Sequence, residues 1–201
     1  IAAGLIVIAV LAAYANSFSG QFVFDDFSSI RDNPTIRQLT AVGQVLSPPN
    51  HDETVCRRPI LNLSFAINYA VGGLDVWGYH AVNLVLHALN ALLLFGIVRQ
   101  TLLLPRLRDR FGSAATWLAT SIALLWAVHP LQTESVTYIV QRAESLVTFF
   151  YLATWYCAIR AMLSARGVIW YAIAALACLL GMASKEVMVT APLVVFLYDR
   201  A

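Results

Sequence analysis

Long apolar runs separated by short polar segments set the pattern of this chain. The first occupies residues 1–15, and others follow at about 79–98, 113–128, 138–159, 168–184 and 187–198. A bilayer-spanning helix needs about 20 apolar residues, so each run predicts a span, the first clipped at its start. Between the first two lies a long polar stretch, 16–78. Its second half holds the apolar segment Pro59–Ala70, with Leu61, Phe65 and Asn68 at helical spacing. Asn62, Ser64 and Asn68 keep it from reading as a span, and a short amphipathic helix lying on the membrane fits it best. The expected fold is all-α: a multi-span transmembrane bundle with a long first loop carrying an interfacial helix.

Composition agrees. The chain is 60% hydrophobic and 12% charged, about half the charged fraction of a soluble domain. The first run lacks a basic leader and a small-residue cleavage site, so it reads as a span and not a signal peptide. Ile1 in place of methionine leads us to expect a fragment of a longer protein. The net charge of +2 and the lack of a basic patch interleaved with aromatics argue against nucleic acid. Cys157 and Cys178 lie inside apolar runs and Cys56 in a polar loop, which implies no disulfide framework.

Arginine placement orients the bundle. Arg99, Arg106, Arg108 and Arg110, and then Arg160 and Arg166, concentrate positive charge in two short loops, which are expected to face the cytoplasm. With spans alternating, the amino end is cytoplasmic. Residues 16–78, His129–Arg142 and Lys185-Glu186 then share the exoplasmic side.

The candidate chemistry gathers there. Asp25-Asp26 follow the first span directly, flanked by Phe22, Phe24 and Phe27. Adjacent acids at a membrane boundary pair, bind a cation or do proton chemistry, unless they simply open a solvated loop. A divalent cation, Mg or Mn, could bridge them, although no zinc-like ligand spacing occurs. Glu134, Tyr138 and Arg142 recur at intervals of four and form one polar stripe if their helix begins near Thr133. Arg142 then either anchors the helix by pairing with Glu134 or Glu144, or binds an anion such as phosphate. Lys185, the single lysine, either pairs with Glu186 across a tight turn or reaches a phosphate. His129, before Pro130, either sits satisfied at the interface or helps hold an acceptor or a phosphate. Arg58 could add charge near the site. His80 and His87, seven apart, read as helix-packing residues.

Several of these residues carry a family resemblance. Phe24-Asp25-Asp26 with Asn33-Pro34, Arg58-Pro59, Tyr79-His80-Ala81-Val82-Asn83-Leu84, Ala127-Val128-His129-Pro130 with Thr133-Glu134 and Arg142, and Ser184-Lys185-Glu186 with Pro192 follow one another in a familiar order. The chain resembles the transmembrane, tetratricopeptide-repeat O-mannosyltransferases and their bacterial relatives, which have the glycosyltransferase C fold. The resemblance implies transfer of a sugar, mannose above all, from a dolichyl or undecaprenyl phosphate to a hydroxyl acceptor, with inversion, on the exoplasmic face. It implies that Asp25 is the base and Asp26 orients it or the acceptor. Arg142 and Lys185, with His129, would bind the donor phosphate, and Glu134, Tyr138, Arg58 and Glu186 would contact substrate. Protein Ser/Thr is the expected acceptor, and a lipid or glycan the alternative. The expected setting is a bacterial inner membrane, or the endoplasmic reticulum membrane in a eukaryote. Further carboxy-terminal spans and a repeat domain would lie beyond this fragment. A secondary transporter is the rival reading, but it would place such charges at mid-span and show internal repeats.

Overall fold

The computed structural model describes residues 1–48 and 54–200, so the part of the long loop at 49–53 lies outside the described residues. Helix α1, Ala2–Tyr14, is apolar all round and runs on as a tight turn through Ser19. The loop that follows is folded. It holds a wide helical turn at Phe27–Arg31, a 3-10 turn at Pro34–Ile36 and the one-turn helix α2, Val42–Val45. Helix α3, Pro59–Gly72, begins on a proline, whose missing N–H is no loss at that position. It ends at Gly73, where φ is +62° and a side chain would be strained.

Asp75 then caps α4, Val76–Leu102, by accepting the Trp77 N–H. Helices α5 (Pro105–Phe111), α6 (Ala115–Ala127), α7 (Thr133–Thr137), α8 (Arg142–Leu163), α9 (Gly167–Met182) and α10 (Ala191–Arg200) complete the chain. No strand occurs among the described residues. Among the described residues, three segments are long and apolar enough to cross a membrane: Ala2–Ser19, Val76–Leu102 and Ile139–Leu163. Helices α6 and α9 are apolar but shorter, at 13 and 16 residues.

Helix α4 is the axis, with α8 on one side and α6 and α1 on the other, while α9 packs on α8. A buried polar stripe runs along it: His80, Asn83, His87 and Asn90. In a membrane such groups must find partners inside the protein. Three of them meet carbonyls of neighbouring segments. His87 Nε2 lies 2.8 Å from the Ala127 carbonyl, which closes α6 and also accepts the Tyr14 hydroxyl. The same imidazole stacks on Trp126 and meets the edge of Tyr14. Asn83 donates to the Ile139 carbonyl and Asn90 to that of Ser145.

The polar segment between α1 and α4 has its own core. Ile30, Ile36, Val45 and Val55 pack with Leu61, Phe65 and Ala66 of α3, Tyr79 of α4, and Ile139, Val140, Ala143 and Leu146 at the head of α8. Asn62, a polar interruption when read in sequence, is fully buried and binds this layer together. Its amide donates to the Val45 carbonyl and the Thr35 hydroxyl, and its oxygen accepts from Asn33. Asn33 also caps the Pro34 turn through the Thr35 N–H. The turn at Asp32-Asn33-Pro34 is therefore part of a packed layer and not a solvated connection.

Candidate active site

The two adjacent aspartates have opposite surroundings. Asp26 is fully buried, its Oδ2 accepting the Val23 N–H at 3.0 Å and its Oδ1 the Val140 N–H at 2.8 Å. Burial pushes its carboxyl up to about 6; the two N–H groups and the Arg142 charge oppose the rise, and Asp25 adds to it. Asp25 is exposed. Its backbone N–H donates to the Tyr138 hydroxyl at 3.1 Å, and its Oδ2 accepts the Thr54 hydroxyl at 3.4 Å. Of the aromatics that flank it in sequence, Phe24 is 82% exposed and Phe22 turns its ring onto Tyr79. With both Asp26 oxygens taken by backbone donors, the pair does not present two free carboxylates to one cation. A Mg or Mn ion would find only Asp25 open to solvent here.

The backbone around these residues is strained. Among the described residues only Phe24 and Arg57 have positive φ without being glycine, at 44° and 56°. They immediately precede Asp25 and Arg58. Such conformations cost about 1–3 kcal/mol each and persist only where the surroundings enforce them.

Arg58 lies beside Asp25 through Thr54, whose carbonyl accepts Arg58 Nη1 at 2.9 Å. Arg58 Nη2 reaches Glu186 Oε2 at 3.4 Å, while Nε is buried with no hydrogen-bond partner among the described residues. The loop carrying Glu186 is held against α3 by the Ile60 N–H, which donates to the Ala183 carbonyl. Lys185 pairs with Glu144 on α8, and not with its neighbour Glu186. Asp25, Thr54, Arg58, Glu186, Lys185, Glu144 and Tyr138, drawn from five segments, thus meet at one end of the bundle. An apolar groove of about 300 Å³ descends α8 from this cluster, lined by Glu144, Val147, Thr148, Tyr151, Leu152 and Val187.

Arg142 lies elsewhere than expected. The stripe Glu134–Tyr138–Arg142 is broken, because Tyr138 is extended and a 3-10 turn at Ile139–Gln141 separates α7 from α8. Arg142 therefore turns inward and is fully buried. Its Nε donates to Asn83 Oδ1 (2.8 Å), Nη1 to the Ser64 carbonyl (3.2 Å) and Nη2 to the Tyr79 carbonyl (3.0 Å). Its guanidinium also lies over the rings of Phe65 and Tyr79. Enclosed by protein acceptors, it anchors helices and leaves no open fork for an anion. Glu134 is exposed and accepts from Gln141. His129 is exposed too, and its Nδ1 accepts the Leu131 N–H, closing its own turn. No hydrogen bond among the described residues joins His129 to Asp25, Arg58 or Lys185. Thr54, a loop threonine with no distinguishing neighbour, carries no signal in the sequence, and Glu144, which the sequence offers to Arg142, pairs with Lys185 instead.

The chain is 33% identical to the protein O-mannosyl-transferase F38B6.6 of Caenorhabditis elegans over 147 residues, 70% of this chain and 20% of that protein. It is 33% identical to human protein O-mannosyl-transferase TMTC3 over 177 residues, 85% of this chain and 18% of that protein. For human TMTC2 the figures are 33% over 202 residues, 94% and 23%. The chain thus spans about a fifth of the length of these curated relatives. No family model matches it, and no solved structure is significantly similar.

Proposed function

The chain belongs to the family of the TMTC protein O-mannosyl-transferases, and on that premise we propose that it carries the base of a membrane glycosyltransferase. The whole protein moves a sugar, mannose going by the relatives' names, from a polyprenyl phosphate to a protein hydroxyl on the exoplasmic side. The contrast between the two aspartates carries the reading. Asp25 is an exposed carboxylate whose backbone is held by the Tyr138 hydroxyl and whose side chain only the Thr54 hydroxyl approaches, at 3.4 Å. Asp26 is buried with both oxygens occupied, so it holds the loop that presents Asp25.

In the reaction the acceptor oxygen attacks the anomeric carbon as its proton passes to Asp25. The bond from that carbon to the phosphate oxygen breaks, and the electron pair leaves with the phosphate. A sugar phosphate is a good leaving group, so one positioned base on the acceptor side suffices. Cations on the other side stabilise the growing phosphate charge. Lys185 lies at the mouth of the α8 groove, and the groove's apolar lining suits a polyprenyl tail that stays in lipid.

The test compares Asp25→Asn with Asp26→Asn in the full-length protein, assaying transfer from a polyprenyl phosphate sugar to an acceptor peptide. Asp25→Asn is expected to fold normally and to lose about 10²–10⁴ in turnover. Asp26→Asn is expected to lose stability more than turnover per folded molecule. Near-normal transfer by Asp25→Asn would remove the catalytic assignment.

A further inference from the structure

The leaving phosphate needs a cationic partner, and the obvious arginine, Arg142, is consumed by the fold. Arg58 differs from it at each atom. One face of its guanidinium is fixed, through Nη1 on the Thr54 carbonyl. The opposite edge, Nε and Nη2, is the pair of donors that grips two oxygens of a phosphate or carboxylate side by side. Among the described residues Nε has no partner although it is buried, and Nη2 has only a 3.4 Å contact with Glu186. A charge-assisted N–H···O bond ordinarily measures about 2.7–2.9 Å, so this contact is loose. An orphaned buried donor is costly, and it calls for an occupant.

Glu186 is suited to give way. Its side chain is 73% exposed and that of Arg58 20%, so the carboxylate can swing into water while the guanidinium stays in place. Arg58 is also anchored on the strained residue Arg57, as Asp25 is on Phe24. Thr54 touches both, by its hydroxyl to Asp25 and its carbonyl to Arg58. A phosphate on the open edge of Arg58 would thus sit next to the base, across Thr54.

We propose that the Nε/Nη2 edge of Arg58 is the anion subsite for the donor phosphate, and that Glu186 occupies it in the empty protein as an exchangeable stand-in. The proposal rests on the glycosyltransferase reading. Lys185, next to Glu186 in sequence, supplies the second positive charge, and Arg142 supplies none directly. The leaving group gains negative charge as the glycosidic bond breaks, so a fork already aimed at it holds the product phosphate more tightly than the donor.

The test uses the full-length protein in lipid nanodiscs, with binding of an unglycosylated polyprenyl phosphate followed by thermophoresis. The parent polyprenol and inorganic phosphate serve as comparison probes. Arg58→Gln is expected to weaken polyprenyl phosphate by about 10- to 150-fold, the loss that follows from removing a charged hydrogen-bonding partner. It should leave polyprenol binding unchanged. Glu186→Gln is expected to tighten polyprenyl phosphate several-fold, because a competing carboxylate is gone. This second variant removes a largely exposed side chain and guards against an Arg58 variant that merely misfolds. Equal binding of polyprenyl phosphate by wild type and a folded Arg58→Gln, or weakening by Glu186→Gln as severe as by Arg58→Gln, would overturn the assignment and leave the donor reading intact. Binding of polyprenol as tight as that of its phosphate in the wild type would overturn both, as would a preference for free inorganic phosphate.

Discussion

Asp26 places a carboxyl where ionisation is resisted, and this has a consequence for pH. Its folded-state pKa of about 6 stands above the ordinary 3.8. Between about pH 4 and pH 6 the folded protein therefore keeps a proton that the unfolded chain has released. Stability must fall as the pH is raised through that window and then level off, with the whole penalty present above pH 6. Melting of the detergent-solubilised protein at pH 4, 5, 6 and 7 should show this decline, beyond the slope contributed by exposed acids. Asp26→Asn should flatten it, because the group no longer titrates. The same variant should melt lower throughout, since an amide offers one oxygen where Val23 and Val140 present two N–H donors. Leaving one donor unmatched in a buried site costs about 1–3 kcal/mol. An unchanged pH slope in Asp26→Asn would mean that another group produces it.

The head of α8 shows which features a sequence carries and which it withholds. Runs such as 79–98 announce helices because a bilayer rewards length and apolarity alone. The break at Tyr138–Gln141 gives no such notice: Ile139 and Val140 are apolar, and neither glycine nor proline marks the turn. It is enforced by partners distant in sequence, Asp26 on the Val140 N–H and Asn83 on the Ile139 carbonyl. Asp25-Asp26 could be picked out as a pair from their place after α1. Their division of labour could not, because it depends on which of them the loop core buries. Asn62 likewise reads as a polar flaw until the loop folds over it. Arg142 belongs to this class, tying α3, α4 and α8 through one guanidinium. Arg142→Met would strand the Asn83 oxygen and the Ser64 and Tyr79 carbonyls, and is expected to destabilise by about 3–5 kcal/mol. Arg142→Lys keeps the charge but cannot reach three divergent acceptors, so it should recover only part of this. Denaturant titration in mixed micelles measures both. Stability equal to wild type in Arg142→Met would show that the residue is not a structural anchor.

At the scale of the molecule, charge is sorted by end. Asp25, Arg58, Lys185, Glu144 and Glu186 meet where α1, α4, α8 and the α9–α10 turn share one rim. The arginine-bearing helix α5 follows the far end of α4. A transporter path would carry its charges through the middle of the bundle. Here the polar groups that line mid-helix α4 include no carboxylate, and most are tied to neighbouring carbonyls. An active site at one rim needs that rim to face the compartment that holds the acceptor, so topology and mechanism stand or fall together. With Cys56, Cys157 and Cys178 replaced by serine, Gln38→Cys reports on the loop rim and Arg108→Cys on α5, both at exposed positions. A membrane-impermeant maleimide applied to intact cells, or to the lumenal side of sealed vesicles, should label Gln38→Cys and spare Arg108→Cys until the membrane is permeabilised. The reverse pattern would place Asp25 in the cytoplasm, on the side where the arginine loops were expected, and the exoplasmic transfer proposed for it would have to be abandoned.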